Sequence, residues 1–253
     1  MGKIIAFSNQ KGGVGKTTTS YSIALCLRKK GYRVLAVDLD SQGNLGYCMG
    51  ADTENFPTSY NLFRGEVRAE DAIQHTEMCD IIAGNILLSS VEMEFTNSGR
   101  EFLLKNALAS VMDKYDYIIL DTPPALSILT INAFTVAEYV IIPMLSDMFS
   151  LQGISQLCET VEQVKKYCNP RLKIAGILLT KFNGRTLLGK EIKGTAQMFA
   201  EQKGITLFDT TIRSSVAITE AQSIQTNMLE YAGQNKAVQD YMDFVDELAR
   251  RGI

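Results

Sequence analysis

Six short apolar runs punctuate the chain: KIIAFS (3–8), RVLAVD (33–38), CDIIAG (79–84), YDYIILD (115–121), YVIIPM (139–144) and KIAGILLT (173–180). Each is continuous rather than alternating, the pattern of strands buried on both faces of a parallel sheet. Between them lie stretches of helical periodicity, among them Lys16–Lys30, Arg100–Lys114, Leu151–Tyr167 and Leu187–Lys203. Strand–helix alternation of this kind predicts an α/β fold with right-handed crossovers, a doubly wound and mostly parallel sheet flanked by helices. Ligands of such sheets collect at the carboxyl ends of the strands. No repeat, low-complexity tract or proline-rich linker divides the pattern, so residues 1–253 are expected to form a single domain. The stretch ADTENFPTSYN (51–61) is the most loop-like and is assigned no function.

Composition narrows the possibilities. Hydrophobic residues make up 46% and charged residues 21% of 253 positions, ordinary for a soluble globular chain with a sizeable core. No apolar run reaches the roughly 18 residues of a membrane-spanning helix. The first ten residues run straight into a glycine loop, which leaves no room for a signal peptide. Five cysteines, odd in number and without a C-x-x-C pair, argue against a disulfide framework or a zinc site and for reduced thiols in a cytoplasm. The single histidine, His75, is far in sequence from every motif and is expected to be structural or exposed.

The candidate chemistry starts at NQKGGVGKTTT, residues 9–19, between a strand and a helix. In that setting the amides of Gly12, Gly13, Val14 and Gly15 can ring a polyphosphate at the positive end of a helix beginning near Lys16. Lys16 reaches the outer phosphates, Thr17 offers its hydroxyl to Mg²⁺, and Thr18 closes the loop. The usual spacing G-x-x-x-x-G-K-[ST] is not fully met, because its first glycine falls at Gln10 and Lys11 follows. Lys11 has three possible jobs: a solvated surface lysine, a contact to its own nucleotide, or a contact to a neighbour's. Two further segments supply carboxylates. VDLDSQGN puts Asp38 and Asp40 two apart at the end of a buried strand, hence on one face, and YIILDTPP puts Asp121 at the end of another. Carboxylates so placed suit Mg²⁺, directly or through water, and can orient an attacking water. A capping aspartate at a strand-to-loop turn is the alternative for Asp38 and Asp40.

KGGVGKTT resembles the signature of the deviant Walker-A P-loop ATPases, which include the ParA/Soj partition proteins, the MinD septum-site regulators and nitrogenase iron protein. The resemblance extends over nearly the whole chain, through ILDTPPALSILTINAF (119–134), RSSVAITEAQS (213–223) and the closing helix NKAVQDYMDFVDELAR (235–250). It implies that Lys11 crosses a two-fold interface to the phosphates of a partner subunit. It also implies that Asp40 orients the hydrolytic water, that Asp38 supports magnesium indirectly, and that Asp121 is the Walker-B-type aspartate. Family members commonly continue D-x-D with P-Q-G-N; here Ser41 replaces the proline. Many ParA proteins carry I-P-R before the C-terminal motif, where this chain has Thr211-Ile212-Arg213. Asn183, just after the strand ending near Thr180, is a candidate adenine contact, a plain turn residue being the alternative. Because the chain starts at the phosphate-loop strand, the resemblance implies no N-terminal operator-binding domain.

The implied function is a slow Mg²⁺-dependent ATPase that forms a homodimer with ATP, binds DNA without sequence preference, and partitions plasmids or chromosomes. A ParB-like or other adaptor would stimulate hydrolysis, and the protein would be cytoplasmic, nucleoid-associated when ATP-bound. Residues 165–213 support the DNA reading: ten cations against Glu191, Glu201 and Asp209, within a chain of net charge −3. Arg185 and Arg213 are the leading phosphate contacts, with Lys190 and Lys193 behind them; solvated helix faces are the plainer account. The alternative is a MinD-like positioning ATPase acting on a membrane or protein cargo. Its membrane form needs a basic amphipathic C-terminal helix. The closing helix has an apolar stripe (Val238, Tyr241, Val245, Leu248), but Asp240, Asp243, Asp246 and Glu247 on its polar face would repel anionic lipid, so the stripe is expected to pack in the core and no membrane partner is expected. An iron-protein role needs bridging cysteines after Asp121, and none stands between there and residue 147.

Overall fold

The computed structural model describes residues 2–145 and 150–253. Seven strands form one sheet in the order β3-β4-β2-β5-β1-β6-β7: β1 (Lys3–Phe7), β2 (Val34–Asp38), β3 (Gln74–His75), β4 (Asp80–Ile82), β5 (Tyr117–Asp121), β6 (Tyr139–Leu145) and β7 (Lys173–Thr180). All pairings are parallel except β3 with β4. The six apolar runs are the six parallel strands. The two-residue β3 is invisible to a pattern reading, because Gln74 and His75 carry no apolar signal; they pair antiparallel with Ile81 and Asp80.

Alternate strand residues feed two cores, as a two-sided sheet requires. Ile4, Leu35, Ile118, Val140 and Leu179 face one layer, with Phe134, Leu157 and Ile192 packed upon it. Ile5, Ala36, Ile119, Ile141 and Leu178 face the other, where helix α1 (Lys16–Lys29) lies against the C-terminal helix Lys236–Arg250. The stretch expected as one helix over 100–114 is α-helical only at Leu103–Leu108, preceded by a 3₁₀ turn at Arg100–Phe102. Thr58 starts a short helix, Ser59–Phe63, inside the expected loop, reciprocally capped by Asn61.

The strand order reverses at β1, whose neighbours β5 and β6 come from opposite directions of the winding. Register then does the decisive work for the site. Asp121 pairs directly with Phe7 on one side and with Asp38 on the other, so both carboxylates stand beside the loop that leaves β1.

Candidate nucleotide site

The glycine loop runs from the end of β1 to Gly15, which caps α1 in the left-handed conformation with φ 86°. Among the described residues, no amide from Gly12 to Thr18 donates a hydrogen bond. Seven adjacent N–H groups at the positive end of a 14-residue helix therefore lack an acceptor among the described residues. Gly12 sharpens the point. A Cβ there would touch nothing within 4 Å, so no atom among the described residues demands a glycine.

Other residues hold the loop in place. Asn9, buried, donates through Nδ2 to the Pro143 carbonyl (2.7 Å) and accepts the Lys11 amide (2.9 Å). Lys16 is buried, and its Nζ donates to the Lys11 carbonyl at 3.2 Å. Burial lowers the Lys16 pKa, while the charges of Asp121 and Asp40 pull it back up. Asn9, Thr180 and Lys181 were not singled out from sequence. The composition of the loop marks the phosphate ring; it carries no mark of the residues that brace it from other strands.

Asp121 is wholly buried. Its Oδ1 accepts from Ser20 Oγ (2.9 Å), whereas Oδ2 receives no hydrogen bond. The Thr17 hydroxyl stands beside the same carboxyl, near enough to favour its charged form but not aligned as a hydrogen bond. Burial nevertheless pushes the Asp121 pKa up. Asp38 is raised too, first by burial and then by Asp121. An orphaned carboxylate oxygen beside a threonine hydroxyl fits a divalent cation. No group of three or more acidic, histidine or cysteine side chains able to hold a metal exists among the described residues, so such an ion would take most of its ligands from phosphate and water.

Asp38 has a visible structural task. Oδ1 accepts the Asp40 amide (3.0 Å) and Oδ2 the amides of Leu45 (2.9 Å) and Gly46 (3.0 Å), anchoring the turn Asn44–Cys48. These are the bonds of the capping alternative. Because β2 ends at Asp38, strand alternation does not reach Asp40, which lies half-buried in the following turn with Oδ1 on the Gln42 amide (3.1 Å).

A cleft beside the loop is lined by Thr18, Thr180, Lys181, Ile212, Ser214 and Gln222. Asn183 lies outside it, in a neighbouring cavity with Arg185, Arg213 and Lys236. Its Oδ1 accepts the Arg185 amide (3.1 Å), the bond of a turn residue.

Comparison with known proteins agrees with this geometry. The AAA domain family matches residues 2–174. The sporulation initiation inhibitor protein Soj of Bacillus subtilis (strain 168) is 40% identical over 258 residues, covering all of both chains. The chain belongs to the ParA/Soj family of P-loop partition ATPases. The chromosome partitioning protein ParA of Myxococcus xanthus is 34% identical, over 99% of this chain and 89% of its own length. Among solved structures, cobyrinic acid a,c-diamide synthase from Mycobacterium smegmatis with bound ADP and magnesium superposes with a TM-score of 0.86 at 32% identity, over 99% of this chain and 95% of that one.

For this ParA/Soj family member the structure revises two charge assignments. Arg213 is a paired cation, not a free one: its side chain is 51% exposed, but its guanidinium grips Asp240 through two contacts (2.6 and 3.0 Å), and its amide binds the same carboxylate. The anion comes from the C-terminal helix, outside the cation-rich segment 165–213. Asp240 and Glu247, expected on that helix's polar face, are buried at 4% and 2% exposure. Glu247 accepts the amides of Asp209 and Thr210 and the Arg251 side chain. The apolar stripe Val238, Tyr241, Val245 and Leu248 is buried as expected. Arg185, Lys190 and Lys193 are exposed, and none has a carboxylate in ion-pair range among the described residues. His75 is exposed, 2.8 Å from Asp80. All five cysteines are free, and no helix among the described residues is long and apolar enough to cross a membrane.

Proposed function

We propose that this chain binds Mg–ATP at the Gly12–Thr18 loop, dimerises upon it, hydrolyses it slowly, and acts in plasmid or chromosome partitioning. The carrying observation is the run of unspent amides from Gly12 to Thr18, in a loop that leaves β1 beside two buried strand-end carboxylates. The amides orient the phosphate chain, and Lys16 neutralises its outer charge. Magnesium, held through Thr17 and the Asp121 side, would supply charge neutralisation to the transferring phosphoryl group. Asp40, half-exposed at the rim, orients water. Partition, rather than the amidation named for the Mycobacterium protein, follows the higher identity, 40% against 32%.

Lys11 belongs to the dimer reading. Its backbone is held by Asn9 and Lys16, which fixes where its side chain starts. A cation delivered only by the second subunit couples nucleotide state to assembly. The single-domain organisation, non-specific DNA binding through Arg185, Lys190 and Lys193, nucleoid association, and a ParB-like stimulating partner belong to this proposal. A membrane-positioning role gains no support, because the C-terminal apolar stripe is spent on the core.

The test is sedimentation of wild type, Lys11→Ala, Lys16→Ala and Asp40→Ala with and without Mg–ATP. Lys16→Ala should lose ATP binding, Lys11→Ala should bind but stay monomeric, and Asp40→Ala should be trapped as a dimer because hydrolysis slows. Equal dimerisation of wild type and Lys11→Ala would remove the trans role. Unchanged ATP affinity in Lys16→Ala would remove the reading of the loop.

A further inference from the structure

Two adjacent residues at the carboxyl end of β7 reach the phosphate loop from outside. Thr180 Oγ1 lies 2.7 Å from the Val14 carbonyl and 3.1 Å from that of Met144, and Lys181 Nζ donates to the Gly13 carbonyl at 3.1 Å. Lys181 also sits with φ +49°, a left-handed conformation that non-glycine residues adopt rarely and that clusters at functional sites.

The planar peptide gives these bonds a consequence. In a trans peptide the C=O and the N–H that follows point in opposite directions. Holding the Gly13 carbonyl toward Lys181 aims the Val14 N–H away from Lys181. Holding the Val14 carbonyl toward Thr180 aims the Gly15 N–H away from β7. Lys16 Nζ on the Lys11 carbonyl does the same for the Gly12 N–H. Three of the loop's amides are thus oriented by what grips the carbonyls behind them.

We propose that Thr180 and Lys181 form a staple that pre-organises the phosphate loop, with Lys181 a positioning residue for the Val14 amide. This rests on the reading of the Gly12–Thr18 loop as a polyphosphate site. Thr180 is buried and belongs to the fold, whereas Lys181 is exposed. The staple acts on phosphate and not on base, so its loss should be felt equally by ATP and by inorganic tripolyphosphate.

The experiment is calorimetric titration of wild type, Lys181→Met and Lys181→Arg with Mg–ATP and with tripolyphosphate, alongside thermal melts and steady-state hydrolysis. Lys181→Met should weaken both ligands by about tenfold, as expected for a lost charge-assisted hydrogen bond. Its melting temperature should be unchanged, KM should rise while kcat is kept, and Lys181→Arg should restore most of the affinity. Wild-type affinity of Lys181→Met for tripolyphosphate would make Lys181 a surface lysine and overturn the proposal. Loss confined to ATP would move Lys181 to the base and also overturn it. If wild type binds neither ligand, the loop reading fails, and the staple with it; wild-type binding with an indifferent Lys181→Met defeats the staple alone.

Discussion

Asp121 places a charge where the fold alone would not want one. Its Oδ2 is buried with no hydrogen-bond partner, and burial raises its pKa. An acid whose folded pKa lies above its unfolded value keeps its proton longer in the folded state. Stability therefore increases as pH falls toward the ordinary aspartate range near 4 and is lost as pH rises through the raised value. Asp121→Asn removes this penalty. We expect the variant to melt higher than wild type at pH 8, by on the order of 2–4 °C per kcal/mol relieved, with the gap closing toward pH 4. It should no longer gain thermal stability from Mg–ATP, whereas wild type should gain it by mass action. Melting curves at several pH values, with and without Mg–ATP, check both statements. A variant less stable than wild type at pH 8 would mean that the Ser20 bond outweighs the cost of burial. Asp38, raised in the same direction, differs because three amides already stabilise its charge.

The C-terminal helix Lys236–Arg250 shows how one element serves both core and site. Tyr241, Phe244, Val245 and Leu248 fill the core against α1, while Asp240 and Glu247 reach the strand-to-helix segment 209–213. Ile212 and Arg213 of that segment line the cleft beside the phosphate loop. Burial would raise the Glu247 pKa, but the Thr210 hydroxyl and amide, the Asp209 amide and Arg251 outweigh it, and the net direction is down. Stability from this clamp is thus present above the ordinary glutamate pKa and fades as pH falls through that range. Glu247→Ala should destabilise by about 1–3 kcal/mol at pH 7, with the difference shrinking below pH 4. Arg213→Ala should also destabilise, by about 1–3 kcal/mol, because it strands a buried carboxylate. A denaturant titration of each variant measures this. Arg213 is therefore unsuitable as a probe of DNA contact.

At the scale of the whole molecule, the exposed cations Arg185, Lys190 and Lys193 lie on or next to the helix Leu187–Lys203, close in sequence to Lys181 of the loop staple. One such patch makes few phosphate contacts, but two on a rigid dimer raise the effective concentration for the second engagement. Binding to unrelated duplexes should therefore require ATP and fall steeply with salt, with a log–log slope of about −0.9 per phosphate neutralised. Lys190→Ala should flatten that slope by about one and weaken all sequences alike, without the loss of stability expected of Arg213→Ala. If ATP-bound wild type ignores every duplex at low salt, the DNA reading falls in favour of a protein cargo.

The sequence by itself determined the six parallel strands, the phosphate loop, the helix after it, and the three aspartates, because each is a local signal: a continuous apolar run, a glycine string, a carboxylate at a strand end. The family could be read at the same level. Only the tertiary structure decided what these groups touch. Asp38 and Asp121 became neighbours through register between strands more than 80 residues apart, and Arg213 found its carboxylate partner in Asp240 on a later helix. Asn183 Oδ1 accepts an amide of its own turn, and Thr180 with Lys181 braces a loop more than 160 residues upstream. Hydrophobic periodicity encodes which face of an element is buried. A hydrogen bond or ion pair depends instead on ångström-scale placement of two distant segments, and that placement exists only once the sheet has been assembled.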